Sequence, residues 1–236
     1  AGGAQGQGRA QGQAQDQGRG AAPGGARAAG PGRGGAQAPA PPAEYTVAAI
    51  SGVIAAGQRW NLVYQTTGNN ADGILAAPDG SLLLAQNDNG TLLKLDGKGQ
   101  TSIAYRDTNT GGALSMNTKG ALFVASRGIG TAIWQLAPER RQFANRIDGE
   151  PLECLGGTLN DISADSRGGV YFTMGGLFYA DPNGVVTRYG ENLNTNGVIL
   201  STDENTVYVT NPPTVVAFDE AANGSLSHQR DSAPLP

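Results

Sequence analysis

Asp72-Gly-Ile-Leu-Ala-Ala-Pro-Asp-Gly-Ser-Leu-Leu-Leu-Ala85 is the phrase by which the chain is organised. A polar residue opens it, a short apolar run follows, Asp79-Gly80 makes a turn, and a stronger apolar run closes it. Asp-Gly between two such runs signals a hairpin, because the tight turn needs residues that accept positive φ. The phrase returns as Gly112-Ala-Leu-Ser-Met-Asn-Thr-Lys-Gly-Ala-Leu-Phe-Val-Ala125 and as Asn160-Asp-Ile-Ser-Ala-Asp-Ser-Arg-Gly-Gly-Val-Tyr-Phe-Thr173. With one insertion it returns again as Asn196-Gly-Val-Ile-Leu-Ser-Thr-Asp-Glu-Asn-Thr-Val-Tyr-Val-Thr210. The starts at 72, 112, 160 and 196 lie 40, 48 and 36 residues apart.

Further turn dipeptides, Asp96-Gly97, Asn183-Gly184 and Asn223-Gly224, separate other apolar runs. Strands are predicted over 81–85, 91–95, 121–125, 169–173, 185–189, 206–210 and 214–218, each too short for a typical helix. The chain therefore reads as all-β. A strand-turn-strand phrase recurring about every 40 residues is the mark of a β-propeller blade. A β-sandwich would show short strands without that recurrence. Residues 44–236 hold between four and five such lengths, so the expectation is a partial propeller domain: about four recognisable blades of a larger ring.

Residues 1–43 have another character: 13 Gly, 13 Ala, 7 Gln, 5 Pro, 4 Arg and one Asp, with no Val, Ile, Leu, Met or aromatic residue. Such a segment has nothing to bury against the roughly 1–2 kcal/mol per residue that backbone ordering costs, and is predicted to be a disordered leader. Of the charged residues, 12 of 16 basic and 19 of 20 acidic ones lie beyond it, so the remainder is acidic and no nucleic-acid partner is expected. Cys154 has no cysteine to pair with, and a single histidine, His228, excludes a His-rich zinc site. No run approaches the ~20 apolar residues of a membrane span. The chain opens on Ala rather than Met, and with a leader of this composition a periplasmic or extracellular location is expected.

In a propeller the first strand of each blade lines the central channel. The residues at its mouth are Asp72, Gly112, Asn160 and Asn196. Carboxylate and carboxamide oxygens on one axis suit a hard cation such as Ca²⁺. The alternative is that Asp and Asn merely cap these strands, as they do many turns.

Leu159-Asn160-Asp161-Ile162-Ser163-Ala164-Asp165 and Asn196-Gly197-Val198-Ile199-Leu200-Ser201, together with Asn211-Pro-Pro-Thr-Val-Val-Ala-Phe-Asp219, resemble the six-bladed propellers of the senescence marker protein, gluconolactonase and luciferin-regenerating enzyme family. The resemblance runs from about residue 58 to 236. It implies one divalent metal in the channel, Ca²⁺ foremost, with Zn²⁺ or Mg²⁺ as alternatives. Asn160 and Asn196 match two of its ligands, and Asp72 stands where the family has Glu. The fourth ligand, an Asp that also serves as general base, is expected beyond Pro236. Thr158 occupies the position at which sugar-lactone enzymes carry a substrate-binding Arg. The implied activity is metal-assisted hydrolysis of a small lactone by a monomer, with no serine nucleophile. A non-catalytic metal- or ligand-binding propeller is the alternative, and a strictosidine synthase-like or scaffold propeller a third reading.

Asp161 either orients Asn160 from behind or is a turn acid beginning a strand. Trp60, Trp134 and Tyr179 are expected to pack between blades, Cys154 to be a small buried residue, His228 to lie solvated in a loop, and Glu139-Arg140-Arg141 to turn between outer strands.

Overall fold

A computed structural model describes residues 47–65 and 71–235; the leader of residues 1–43 lies outside the described residues. Four meanders of four antiparallel strands account for residues 71–234. The first joins β1 (Ala71–Ala76), β2 (Leu82–Gln86), β3 (Thr91–Leu95) and β4 (Thr101–Tyr105); the second β5 (Gly111–Met116), β6 (Leu122–Ser126), β7 (Ala132–Ala137) and β8 (Arg141–Ala144). A small hairpin follows, β9 (Arg146–Ile147) with β10 (Glu150–Pro151). The third meander joins β11 (Ile162–Ala164), β12 (Val170–Thr173), β13 (Leu177–Ala180) and β14 (Val186–Tyr189). The fourth joins β15 (Val198–Leu200), β16 (Thr206–Asn211), β17 (Thr214–Glu220) and β18 (Leu226–Pro234). First strands touch in succession, β1 with β5, β5 with β11 and β11 with β15, so they lie innermost and the meanders are propeller blades.

The turn phrases make this pattern locally. Asp79, Asn117 and Asp165 each stand after a first strand and accept the amide two residues on, at 3.1, 3.0 and 2.9 Å. These Asx turns set the hairpin between first and second strands. The seven predicted strands all form, with ends within one or two residues of expectation.

The core consists of seams between blades. Leu83, Ala85 and Leu92 pack on Leu114, Leu122 and Val124. Phe123, Ala125 and Phe143 pack on Ile162, Val170 and Phe172, and Tyr171, Leu177 and Tyr179 on Val198, Val209 and Phe218. In β6 and β12 successive residues thus point into different seams, which is why those strands are apolar throughout rather than alternating. The outward faces of the end blades keep apolar rows in register. Ile74, Leu84, Leu93 and Ile103 form one row across blade 1, and Ile199, Tyr208 and Ala217 another across blade 4. Ile74 and Ile199 are 63% and 64% exposed.

Of the packing expectations, Tyr179 is buried in the third seam and Trp134 is partly buried against the first. Trp60 departs from expectation: it is 69% exposed, in a segment that belongs to none of the four meanders. Cys154 also departs, being exposed in a single 3₁₀ turn, Leu152–Leu155, whose one buried side chain is Leu152. Arg140 turns between β7 and β8 as expected and lies over the Trp134 ring. His228 sits on β18 at positive φ beside a register shift, solvated, with Nδ1 3.0 Å from Asp219.

Candidate functional site at the mouth of the inner strands

The antiparallel meander brings the start of each first strand and the end of each second strand to the same rim. Asp72, Gly112, Asn160 and Asn196 all stand there, at or just before β1, β5, β11 and β15. Thr173, the last residue of β12, joins two of them. Its buried hydroxyl accepts the Asp161 amide at 3.1 Å and donates to the Asn196 carbonyl, while its carbonyl accepts the Asn160 amide at 2.9 Å. Backbone hydrogen bonds thus fix where both asparagines begin. Their side-chain amides make no hydrogen bond to the described residues, and Asn196 is exposed.

Asp161 is committed elsewhere. One carboxylate oxygen accepts the Ile162 amide at 2.9 Å and the other the Val198 amide at 2.9 Å, bolting blade 3 to blade 4. Burial pushes its carboxyl above the ordinary range, and the Asp72 charge adds to the rise; the two amides and Arg127 oppose it. It begins a strand and also fixes the two segments that carry the asparagines. Thr158, two residues before Asn160, is exposed at the same rim.

Arg127, which no motif of the sequence singles out, also reaches this rim. It follows β6 directly, and its side chain is only 14% exposed. Nε donates to the Leu159 carbonyl at 2.6 Å, Nη2 to the Asn160 carbonyl and Nη1 to Asp72 Oδ2, so one guanidinium ties blades 1, 2 and 3 together. Gly112 makes room: a Cβ built there would overlap the guanidinium. The signal was present in the repeat, since Gly112 alone of the four mouth positions has no polar side chain, and an arginine stands just past the neighbouring strand.

The mouth donors are all oxygens, one carboxylate and two carboxamides, which fit a hard cation better than zinc. No three His, Cys, Asp or Glu side chains converge among the described residues. Asp72 is the carboxylate left over once Asp161 has taken its two amides, and Arg127 already holds it. A divalent ion about 5 Å from that guanidinium would be repelled by roughly 6–7 kcal/mol at an effective dielectric of about 20. The donor set therefore fits a divalent cation with one condition: ion and guanidinium do not share Asp72.

Comparison with known proteins agrees with the fold and the motifs. The chain is 30% identical over 166 residues to a lactonase, drp35, of Staphylococcus haemolyticus, and 37% identical over 89 residues to that of Staphylococcus epidermidis. These matches take in 62% and 30% of this chain, but only 49% and 27% of those proteins, so the chain spans about half or less of their length. Among solved structures, a gluconolactonase from Xanthomonas campestris superposes with a TM-score of 0.58 at 18% identity, over 68% of this chain and 61% of that one. A periplasmic gluconolactonase from Pseudomonas aeruginosa gives 0.52 at 15% identity, over 75% and 62%. At such identities the structures speak for the propeller fold. The SMP-30/gluconolactonase/LRE-like family pattern matches residues 70–235, and the chain belongs to that family.

Proposed function

We propose that the protein opens a small lactone by hydrolysis at this mouth, with a divalent cation, Ca²⁺ foremost, held by Asn160, Asn196 and Asp72. The observation that carries the reading is the pair of asparagine amides at one rim, fixed through their backbones by Thr173 and Asp161 and left without hydrogen-bond partners among the described residues. A bound cation there supplies polarisation of the lactone carbonyl and acidification of an attacking water. The chain's own residues do the positioning. Asn160 and Asn196 present neutral oxygens, so Asp72 is the negative charge among the three donors. Thr158 offers a hydroxyl to a substrate oxygen where sugar-lactone enzymes carry an arginine, which favours a lactone less polar than gluconolactone. Asp161 is not placed to act as base while both its oxygens hold amides. The general base is assigned to an Asp beyond Pro236.

The exposed isoleucines Ile74 and Ile103 on blade 1 and Ile199 on blade 4 support the companion reading that residues 44–236 form part of a six-bladed ring, since apolar side chains in the interior seams are covered by a neighbouring blade. We assign the protein to the periplasm or the exterior, as a monomer. No helix among the described residues is long and apolar enough to cross a membrane. Separation of periplasmic from cytoplasmic fractions tests the location.

The activity is tested on the full-length protein with a panel of γ- and δ-lactones before chelation, after chelation and after Ca²⁺ is restored. Hydrolysis that is lost and recovered is expected. Hydrolysis indifferent to chelation overturns the metal, and no hydrolysis of any lactone favours the non-catalytic binding propeller.

A further inference from the structure

Asp72 is claimed twice: by the cation of the proposed function and by Arg127, whose guanidinium touches it in the structure. We propose that Arg127 is the mouth's built-in cation, and that a divalent ion binds only by displacing its guanidinium from Asp72. This rests on the ion-binding reading above and adds to it the residue that sets the ion's affinity.

Three observations carry it. First, the guanidinium is built into the mouth and is not a surface group lying across it. Its side chain is mostly buried, Nε and Nη2 are held by the Leu159 and Asn160 carbonyls, and Gly112 supplies the space. Second, it sits between the mouth residues of three blades, joining the carboxylate of Asp72 to the backbone of Asn160, where a positive charge is wanted. Third, the other nearby carboxylate gives the ion no substitute. Asp161 is spent on the Ile162 and Val198 amides, and releasing it would unfasten β15 from β11. An ion arriving at the asparagines therefore finds its one charged donor already neutralised. A planar guanidinium with two carbonyl anchors is a better competitor than a lysine, because much of its rotamer entropy is already lost.

The arrangement has a consequence for selectivity. A monovalent cation brings no more charge than the guanidinium it must displace and gives up the two-carbonyl anchoring, so the mouth discriminates for divalent ions without a large donor cage. It also predicts reciprocity: whatever loosens Arg127 from Asp72 tightens the ion, by the same factor that the ion loosens the pair.

The test is calorimetric titration of the full-length protein with CaCl₂, comparing wild type with Arg127→Gln, Asp72→Asn and the double variant. Removing the competitor should tighten Ca²⁺ binding at least about tenfold, and Asp72→Asn should weaken it. In the Asp72→Asn background the gain from Arg127→Gln should be clearly smaller than in wild type, because only the guanidinium's repulsion of the ion, and no longer its hold on the carboxylate, is then removed. Equal or weaker affinity in Arg127→Gln than in wild type overturns the proposal while leaving the ion site standing. Absence of Ca²⁺ binding from every variant refutes the ion site and the proposal with it. If the neutral variant does not fold, Arg127→Lys replaces it: its weaker hold on Asp72 should give a smaller gain in affinity, and no gain overturns the proposal.

Discussion

The two rims of the blades use the same chemistry to different ends. At the rim opposite the mouth, the turn between β11 and β12 presents Asp165, fully buried, and surrounds it with donors. One oxygen accepts the amides of Arg167, Gly168 and Gly169 at 2.9, 2.8 and 2.8 Å; the other accepts the Tyr179 hydroxyl and the Arg167 guanidinium, both at 2.7 Å. Arg167 continues to Glu220 in blade 4, Glu204 grips Ser166, and Asn117 of blade 2 donates to the Asp165 carbonyl at 3.0 Å. This cluster holds three blades together and leaves the Asp165 carboxylate nothing to offer a ligand. The mouth also has an arginine and acids joining three blades, yet there two carboxamides remain unspent. At the opposite rim the atoms left unpaired, Arg167 Nε and Glu220 Oε2, are buried inside the cluster, so what distinguishes a structural polar cluster from a candidate site is not its charge but whether the groups left over after the fold has been held can meet a ligand.

The largest effect is expected at the structural rim. Arg167→Met leaves Asp165 and Glu220 buried without their cation, and should cost about 3–5 kcal/mol of unfolding free energy, read by denaturant titration. The equivalent loss at the mouth should fall on activity instead. Asn160→Ala or Asn196→Ala should lower kcat/KM by about 100-fold or more while shifting stability by under about 0.5 kcal/mol, because neither amide holds another described residue.

Acid separates the rims more gently. Burial alone would raise the Asp165 carboxyl, but the bonds from Tyr179, Arg167 and the Gly169 amide outweigh it and hold the group below its ordinary value. The folded state therefore binds this proton less readily than the unfolded chain. Its stabilisation is complete above the ordinary carboxylate pKa of about 3.9 and is lost as pH falls through the lowered folded value. Asp165→Asn should flatten that acid limb in a pH series of thermal melts. The smallest effect is expected at Cys154, exposed on its turn: Cys154→Ser should change stability by less than about 0.5 kcal/mol, and a thiol reagent should label the native protein without unfolding it.

The repeat phrase carried most of this architecture, because each copy contains its own turn chemistry. Asp79, Asn117 and Asp165 form the same Asx turn wherever they recur, and the strands on either side follow. The places of Asp72, Asn160 and Asn196 at the starts of first strands were legible for the same reason. Arg127 was not, since it lies outside the phrase and reaches the mouth only because the antiparallel meander returns β6 to the rim where β5 began. Trp60 and Cys154 misled in a common way: aromatic and thiol side chains are usually buried, but nothing local says whether a neighbouring segment will cover them.

The role proposed for the mouth is lactone hydrolysis that depends on the spare amides of Asn160 and Asn196. Its most direct test is turnover of a lactone panel by the full-length Asn160→Ala/Asn196→Ala double variant against wild type, with folding checked by circular dichroism. Loss of turnover by about 100-fold or more in a folded protein is the predicted result. Turnover within a few-fold of wild type would contradict it, and would place the chemistry somewhere other than this rim.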